Sequence, residues 1–226
     1  MMRCLPALTA IFLALAPAHA GQTDDPFAAE IAAFEQVDGT LSPVPGTVVF
    51  TGSSSIRFWT TIASDMAPLP VLNRGFGGSR ITDANRHFDR LVARHRPAAI
   101  VLYSGDNDLL TRLPETVLAD LDAFMILKDR ALGPQLPVFV MTVKPSPARL
   151  ELLPVQQRFN RLVLERAGTR SDLRIIDVAT PMLDANGQPR GDLFGPDGLH
   201  LNQAGYTLWR GIVRTALGLT AEPAPQ

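Results

Sequence analysis

Four short segments of the chain carry residue types that could together transfer an acyl group. Ser53–Ser55 provide consecutive hydroxyls, residues 73–79 are rich in glycine, residues 104–108 read Ser-Gly-Asp-Asn-Asp, and Asp197 lies shortly before His200. A hydroxyl can act as a nucleophile, an imidazole as its base, and a carboxylate as the group that orients the imidazole. Backbone and asparagine amides can bind the oxyanion that forms. This chemistry requires the four segments to meet in space.

Each segment also has an ordinary structural explanation. A Gly-Ser cluster that opens a helix is often a turn with a helix cap, and a glycine-rich stretch is often a flexible turn. Residues 73–79 fall short of a dinucleotide-binding fingerprint, because Arg80 stands where the third glycine belongs. Turn chemistry also accounts for residues 104–108. Asp197 and His200 are the hardest to explain in this way, because a turn of that length brings the carboxylate onto the imidazole.

Apolar runs separated by helical patterns predict that strands and helices alternate along the chain. The predicted strands are Thr47–Thr51, Val71–Asn73, Ala98–Tyr103, Val138–Val143 and Leu173–Val178. The predicted helices are Phe27–Val37, Thr82–His95, Pro114–Leu132, Gln156–Ala167 and Asn202–Leu217. Continuous apolar strands alternating with helices are typical of a parallel sheet covered on both faces. We therefore expect an α/β fold, a three-layer α/β/α sandwich around a five-stranded parallel sheet, with its functional loops beyond the carboxyl ends of the strands.

Two of the segments carry a resemblance to a known family. Gly105-Asp106-Asn107-Asp108 matches the G-x-N-D motif of the SGNH, or GDSL-like, hydrolase superfamily, and Asp197-Gly198-Leu199-His200 matches its D-x-x-H motif. The resemblance extends from about Thr47 to Leu217 and implies a flavodoxin-like sandwich and a Ser-His-Asp acyl-enzyme mechanism. By position it implies the following roles: Ser54 as nucleophile, His200 as general base, Asp197 as orienting acid, and Ser54, Gly78 and Asn107 as the oxyanion hole.

The first motif departs from the family pattern. The family usually has Gly-Asp-Ser, whereas Ser53 follows Gly52 here. Ser54 holds the second place after the glycine and is the predicted nucleophile. Ser55 is the alternative if the loop carries one extra residue, and Ser53 occupies the place of the missing aspartate.

The composition of the 226-residue chain excludes several classes of protein. With 46% hydrophobic and 19% charged residues, the chain can bury the core of one folded domain. A formal net charge of -1 argues against a nucleic-acid partner, which would require a basic surface. Cys4 is the single cysteine, so the composition excludes a disulfide scaffold, a zinc-thiolate site and a cysteine nucleophile in the folded body.

The first twenty residues predict a cleavable signal peptide. Arg3 precedes an apolar stretch, and Ala18-His19-Ala20 places small residues before a cleavage site after Ala20. The apolar stretch is shorter than the roughly 20 residues needed to span a bilayer. We therefore expect residues 1–20 to be removed, residues 21–226 to form one domain, and the product to be periplasmic or secreted.

The expected activity is hydrolysis of short-chain carboxylic esters, without a metal or another cofactor. The substrate could be an O-acetylated carbohydrate, a small alcohol ester or a lysophospholipid-type ester. Two alternatives stay open at this stage. One is an O-acyltransferase, in which a sugar hydroxyl replaces water, and the other is a non-catalytic glycan-binding protein with the same fold. Neither a stable membrane span nor a particular oligomeric state is predicted.

Several residues near these motifs are interpreted as structural. His87 and His95 lack a metal-ligand pattern and are expected at the surface or at its boundary. Phe58 and Trp59 are expected in the core. Arg74 is expected to be a solvated charge, with an anionic substrate as the alternative.

Overall fold

A computed structural model of the protein describes residues 25–40 and 44–219. The predicted signal peptide at 1–20 lies outside these residues. Its cleavage after Ala20 and the domain boundary at residue 21 therefore stay predictions.

The described residues alternate strands and helices in the predicted order. The strands are β1 (Val48–Gly52), β2 (Val71–Gly75), β3 (Ala99–Tyr103), β4 (Val138–Met141) and β5 (Leu173–Ile176). The helices are α1 (Ala28–Asp38), α2 (Ser54–Arg57), α3 (Ile62–Asp65), α4 (Ile81–Arg86), α5 (Phe88–Leu91), α6 (Pro114–Leu132), α7 (Leu153–Ala167) and α8 (Gln203–Ala216). Each strand begins within one residue of its predicted start, and α6 has its predicted bounds.

All five strands are parallel and follow the order β2-β1-β3-β4-β5. Val49 of β1 pairs with Leu72 of β2 on one side and with Ile100 of β3 on the other. The chain leaves β1 toward β2 and then returns to β3, so the strand order reverses between β1 and β3. In such a sheet the crevice beyond this reversal is where ligands bind.

Alternation along the strands divides the core into two apolar layers. Val49 and Ile100 pack on one face, against buried side chains of α1, α4, α5, α6 and α7. Phe50 and Val101 pack on the other face, against α2, α3 and α8. Burial on both faces explains why the strands read as continuous apolar runs, and the three-layer α/β/α prediction is confirmed.

A glycine is the last residue of β1 and another lies two residues after β3, because the chain turns sharply at both places. Gly52 has φ +125°, and a Cβ on it would lie 1.9 Å from the carbonyl oxygen of Tyr103. Gly105 has φ +115°, and a Cβ on it would lie 2.9 Å from the ring of Phe159. These turns direct the two following loops toward the same crevice.

The single helix predicted over Thr82–His95 was wrong, because the segment breaks at His87. It consists of α4, α5 and a 3-10 turn at Ala93–His95. His87 joins α4 to α5 with φ -103° and ψ 14°, outside helical geometry. Its imidazole Nε2 lies 3.2 Å from a carboxylate oxygen of Asp25, and both side chains are buried. Asp25, which precedes α1, therefore holds His87 at the break between α4 and α5. The sequence pattern does not show this contact.

Other local expectations are corrected in the same region. His87 is 3% exposed, so its expected surface or boundary position is wrong, whereas His95 lies at the boundary as expected, 3.3 Å from a carboxylate oxygen of Asp38. Arg74 is buried and pairs with the same carboxylate group, so it is not a solvated charge. Trp59 is fully buried as expected, whereas Phe58 is 45% exposed. None of the helices within 25–40 and 44–219 is long and apolar enough to cross a bilayer.

Candidate active site

Ser54 is the first residue of α2 and lies directly beyond the carboxyl end of β1. Its neighbours Ser53 and Ser55 are almost fully buried, whereas Ser54 is partly exposed. The backbone N–H at the first position of a helix has no acceptor within that helix. The turn therefore presents one hydroxyl of the three, together with an N–H group near it.

The loop that carries His200 is fixed on both sides of the imidazole. Before it, the N–H of Gly195 donates to the carbonyl of His200 at 2.8 Å. After it, Leu201 forms an antiparallel bridge with Phe194. Asn202 then caps α8 by accepting the N–H of Gly205 at 3.1 Å. The start of α8 and this small bridge therefore position the ring.

Asp197 uses one carboxylate oxygen for the loop and the other for the ring. Its Oδ1 accepts the N–H groups of Leu199 and His200 at 2.9 and 3.0 Å. Its Oδ2 lies 2.7 Å from Nδ1 of His200. The hydrogen bond from the imidazole, followed by the two backbone bonds, holds the pKa of Asp197 well below its usual range. The group is therefore a carboxylate at neutral pH, and its Oδ2 accepts a hydrogen bond from the ring.

Residues from the two ends of the chain meet at the imidazole. Nε2 of His200 lies 2.9 Å from Oγ of Ser54. Because the carboxylate of Asp197 can only accept, Nδ1 carries the ring proton and Nε2 is free to accept the hydroxyl proton. Phe58 packs edge to face against the imidazole, with ring centroids 4.9 Å apart. The arrangement can deprotonate a serine hydroxyl.

Two donors predicted for an oxyanion hole lie on the neighbouring loops. Gly78 is exposed and has φ +77°, and its N–H has no acceptor within the part of the chain that the structure describes. Asn107 follows β3 and is partly exposed. Its Nδ2 donates to the carbonyl of Ser79 at 3.0 Å, which occupies one of its two N–H groups and leaves the other for a ligand.

Asp108 connects the loop after β3 to the loop after β2. Its carboxylate oxygens lie 3.2 and 3.3 Å from the N–H of Ile81 at the start of α4. Burial raises the pKa of Asp108 to about 6. This side chain is fully buried, so it does not face a ligand, and its contact with Ile81 ties the loop of Asn107 to the start of α4.

A buried ionic cluster supports the loop after β3. The carboxylate of Asp106 lies 3.1 Å from Nζ of Lys144 and 2.7 Å from Arg149, and Gln156 donates to it at 3.1 Å. Burial alone would raise the pKa of Asp106. The charges of Lys144 and Arg149 outweigh this effect, so the pKa of Asp106 lies below its usual value. Arg149 also donates to Oδ1 of Asn107 at 2.9 Å. We name these four residues (106, 144, 149 and 156) the Asp106 cluster.

The family comparison agrees with these motifs. A model of the GDSL-like lipase/acylhydrolase family matches residues 37–208, which include all four loops. The chain belongs to this family. No match was found among curated proteins.

Solved structures of a lipase, an acylhydrolase and an esterase share the fold at low sequence identity. A GDSL-like lipase from Bacteroides thetaiotaomicron is 18% identical, with a TM-score of 0.73 over 84% of this chain and 98% of that one. A lipase/acylhydrolase from Enterococcus faecalis is 20% identical, with a TM-score of 0.61 over 79% and 99%. A catalytic mutant of an acetylxylan esterase from Geobacillus stearothermophilus is 12% identical, with a TM-score of 0.66 over 81% and 100%.

For this GDSL-like hydrolase, the structure brings Ser54, His200 and Asp197 into one hydrogen-bonded chain and places Gly78 and Asn107 on adjoining loops. Sequence reasoning missed the Asp106 cluster. Lys144 follows a predicted apolar strand, and its side chain is 1% exposed and buried under the site. An unusual lysine directly after an apolar strand was the available signal.

Proposed function

We propose that this GDSL-like hydrolase is a secreted serine esterase that cleaves short-chain carboxylic esters through an acyl-enzyme. The observation that carries the proposal is the chain of contacts through one imidazole. Nδ1 of His200 lies 2.7 Å from Asp197, and Nε2 lies 2.9 Å from Oγ of Ser54. Separations of this size permit general-base activation of a hydroxyl.

In the first step, Ser54 attacks the ester carbonyl while His200 accepts the hydroxyl proton. The carboxylate of Asp197 stabilises the imidazolium that forms. The N–H groups of Ser54 and Gly78 and the amide of Asn107 bind the oxyanion. His200 then gives the proton to the departing alcohol oxygen, which leaves Ser54 acylated.

In the second step, water takes the place of the alcohol. His200 removes a proton from the water, which attacks the acyl carbonyl, and the same donors bind the second oxyanion. His200 returns the proton to Oγ of Ser54 as the carboxylic acid leaves. If a sugar hydroxyl replaced water here, the enzyme would be an acyltransferase.

Acetyl esters of carbohydrates are the first substrates to test. Phe58 is 45% exposed and packs against His200, so an aromatic ring lies beside the position where the alcohol leaves. Exposed aromatic rings offer an apolar contact to such a group. Acetylated xylan is a further substrate to test, because an acetylxylan esterase has the same fold. The proposed secretion rests on residues 1–20.

A fluorophosphonate probe followed by peptide mapping tests the proposal. The expected result is a single labelled peptide with the phosphonyl group on Ser54, together with hydrolysis of p-nitrophenyl acetate. Failure to label, or labelling at Ser53 or Ser55, would contradict the assigned nucleophile. Product analysis with and without a sugar acceptor separates hydrolysis from acyl transfer.

A further inference from the structure

The side-chain amide of Asn107 is held in one orientation by two contacts. Arg149 has only N–H donors, so the atom of Asn107 that faces it must be the carbonyl oxygen, and this distance is 2.9 Å. The carbonyl of Ser79 can only accept, so the atom that faces it must be the amide nitrogen, at 3.0 Å. Each contact specifies the same orientation independently of the other.

Arg149 is itself held in place by Asp106, the residue that precedes Asn107. One of its guanidinium nitrogens lies 2.7 Å from the carboxylate of Asp106 and 2.9 Å from the carbonyl oxygen of Asp106. The other terminal nitrogen reaches Asn107. A planar guanidinium can make such contacts in a fixed geometry, whereas an ammonium is a point charge on a flexible chain.

Arg149 comes from a different part of the fold than Asn107. It lies in the 3-10 helix Pro147–Leu152, between β4 and α7. Its side chain is 12% exposed, and both terminal nitrogens are already engaged by residues 106 and 107. The guanidinium is therefore paired with Asp106 and also lies against the carbonyl oxygen of the Asn107 amide.

We propose that Arg149 is a positioning residue that orients and polarises the Asn107 amide, so that its free N–H group points at the oxyanion. This inference rests on the proposed function, because it assigns Arg149 a part in the same oxyanion hole. A cation on the carbonyl side of an amide withdraws electron density from it and strengthens the N–H groups as donors. The effect is exerted on the transition state, where the oxyanion carries its charge.

Replacing Arg149 should therefore lower kcat more than it changes KM. For Arg149→Met we expect kcat to fall by about 10- to 100-fold, because a misdirected group in a preorganised site costs up to about 10²-fold. Arg149→Lys should recover only part of this loss, since a lysine cannot contact Asp106 and Asn107 in the same fork. Arg158→Met is the matched control, because Arg158 is an exposed arginine of α7 that pairs with Glu115.

A double-mutant cycle on kcat for p-nitrophenyl acetate separates this role from a structural one. In the Asn107→Ala background, Arg149→Met should cause little further loss, because the amide that it positions is absent. An equal loss in both backgrounds would overturn the proposal and leave Arg149 as a stabilising residue. Thermal unfolding of every variant identifies those that fail to fold, and Arg149→Lys then replaces Arg149→Met in the cycle.

A second readout does not depend on turnover. A boronic acid that adds to a reactive serine places an oxygen in the oxyanion hole, so its affinity should fall with Arg149→Met and stay unchanged with Arg158→Met. Unchanged affinity for Arg149→Met would contradict the proposal. If Asn107→Ala alone leaves kcat and this affinity unchanged, the assigned oxyanion hole fails, and the inference about Arg149 fails with it. If Asn107→Ala lowers both and Arg149→Met lowers neither, only the inference about Arg149 fails.

Discussion

The two sides of the candidate site differ in how they are supported. The proposed proton-transfer side consists of Ser54, His200 and Asp197 and is open to solvent, with 30% of the His200 side chain and 51% of the Asp197 side chain exposed. The proposed oxyanion side rests on the Asp106 cluster, in which the side chains of Asp106 and Lys144 are 5% and 1% exposed. Local hydrogen bonds hold the first side, and buried charges hold the second.

This difference indicates where activity and stability can be separated. On the open side a lost contact can be replaced by water, so substitutions should affect catalysis far more than folding. On the buried side, removal of one charge leaves another without a partner in the interior, and this is strongly destabilising. Substitutions on the two sides should therefore separate loss of activity from loss of stability.

Replacement of the proposed nucleophile on the open side should have the largest effect. For Ser54→Ala we expect kcat on p-nitrophenyl acetate to fall by about 10⁵- to 10⁶-fold, because the covalent route is lost. The melting temperature should change little, since Ser54 is partly exposed. Ser55→Ala is the control and should keep most of the activity. Similar rates for Ser54→Ala and the parent protein would defeat the assignment.

Replacement of the proposed orienting carboxylate should have the next largest effect. Asp197→Asn should lower kcat by about 10⁴-fold, because an amide no longer fixes the tautomer or stabilises the imidazolium. Because Asp197 is half exposed, water screens its charge, and the free energy of unfolding should fall by clearly less than in a buried carboxylate of the Asp106 cluster, which chemical denaturation would measure. Asp192→Asn is the control, since Asp192 is an exposed carboxylate that pairs with Arg190 outside the site. A large stability loss in Asp197→Asn would remove the proposed contrast between the two sides.

Removal of the side-chain oxyanion donor should have a smaller effect. Asn107→Ala should lower kcat by about 10²- to 10³-fold with little change in KM, because the donor acts on the transition state. Asn186→Ala, at an exposed turn, is the control. Steady-state kinetics would measure both parameters. A rise in KM at constant kcat would show that Asn107 binds the substrate in its ground state.

The elements and the family could be predicted from sequence because their signals are local. Apolar runs located every strand, and motifs at 105–108 and 197–200 carried the family resemblance. Choosing among the three serines was harder, because alternative registers of one turn present different hydroxyls. The fold presents Ser54 because Gly52 turns the chain sharply at the end of β1 and α2 then buries Ser55.

Partners that are distant in sequence could not be predicted. Arg149 is one arginine among many in the sequence, and only the fold places it 2.9 Å from Asn107. The break at His87 likewise depends on Asp25, which periodicity within the helix cannot show. Buried ionic contacts of this kind depend on tertiary packing, and they account for most of what sequence reasoning missed near the site.

The buried side makes a prediction about stability and its dependence on pH. Asp106→Asn should lower the free energy of unfolding by about 3 kcal/mol at neutral pH, because Lys144 and Arg149 lose their buried counter-charge. The folded-state pKa of Asp106 is lowered from 3.8. A carboxyl with a lowered pKa stabilises the fold at pH values above 3.8, and this contribution is lost as the pH falls through the folded-state pKa.

The stability difference between the parent protein and Asp106→Asn should therefore shrink as the pH falls below 3.8. Urea denaturation at a series of pH values would measure it. Asp89→Asn, at an exposed position on α5, should give a small difference at every pH. If the Asp106→Asn difference stayed constant into acid, its cause would be packing of the side chain and not its charge. The oxyanion side would then be supported by packing, and the contrast with the open loop of Asp197 would no longer be electrostatic.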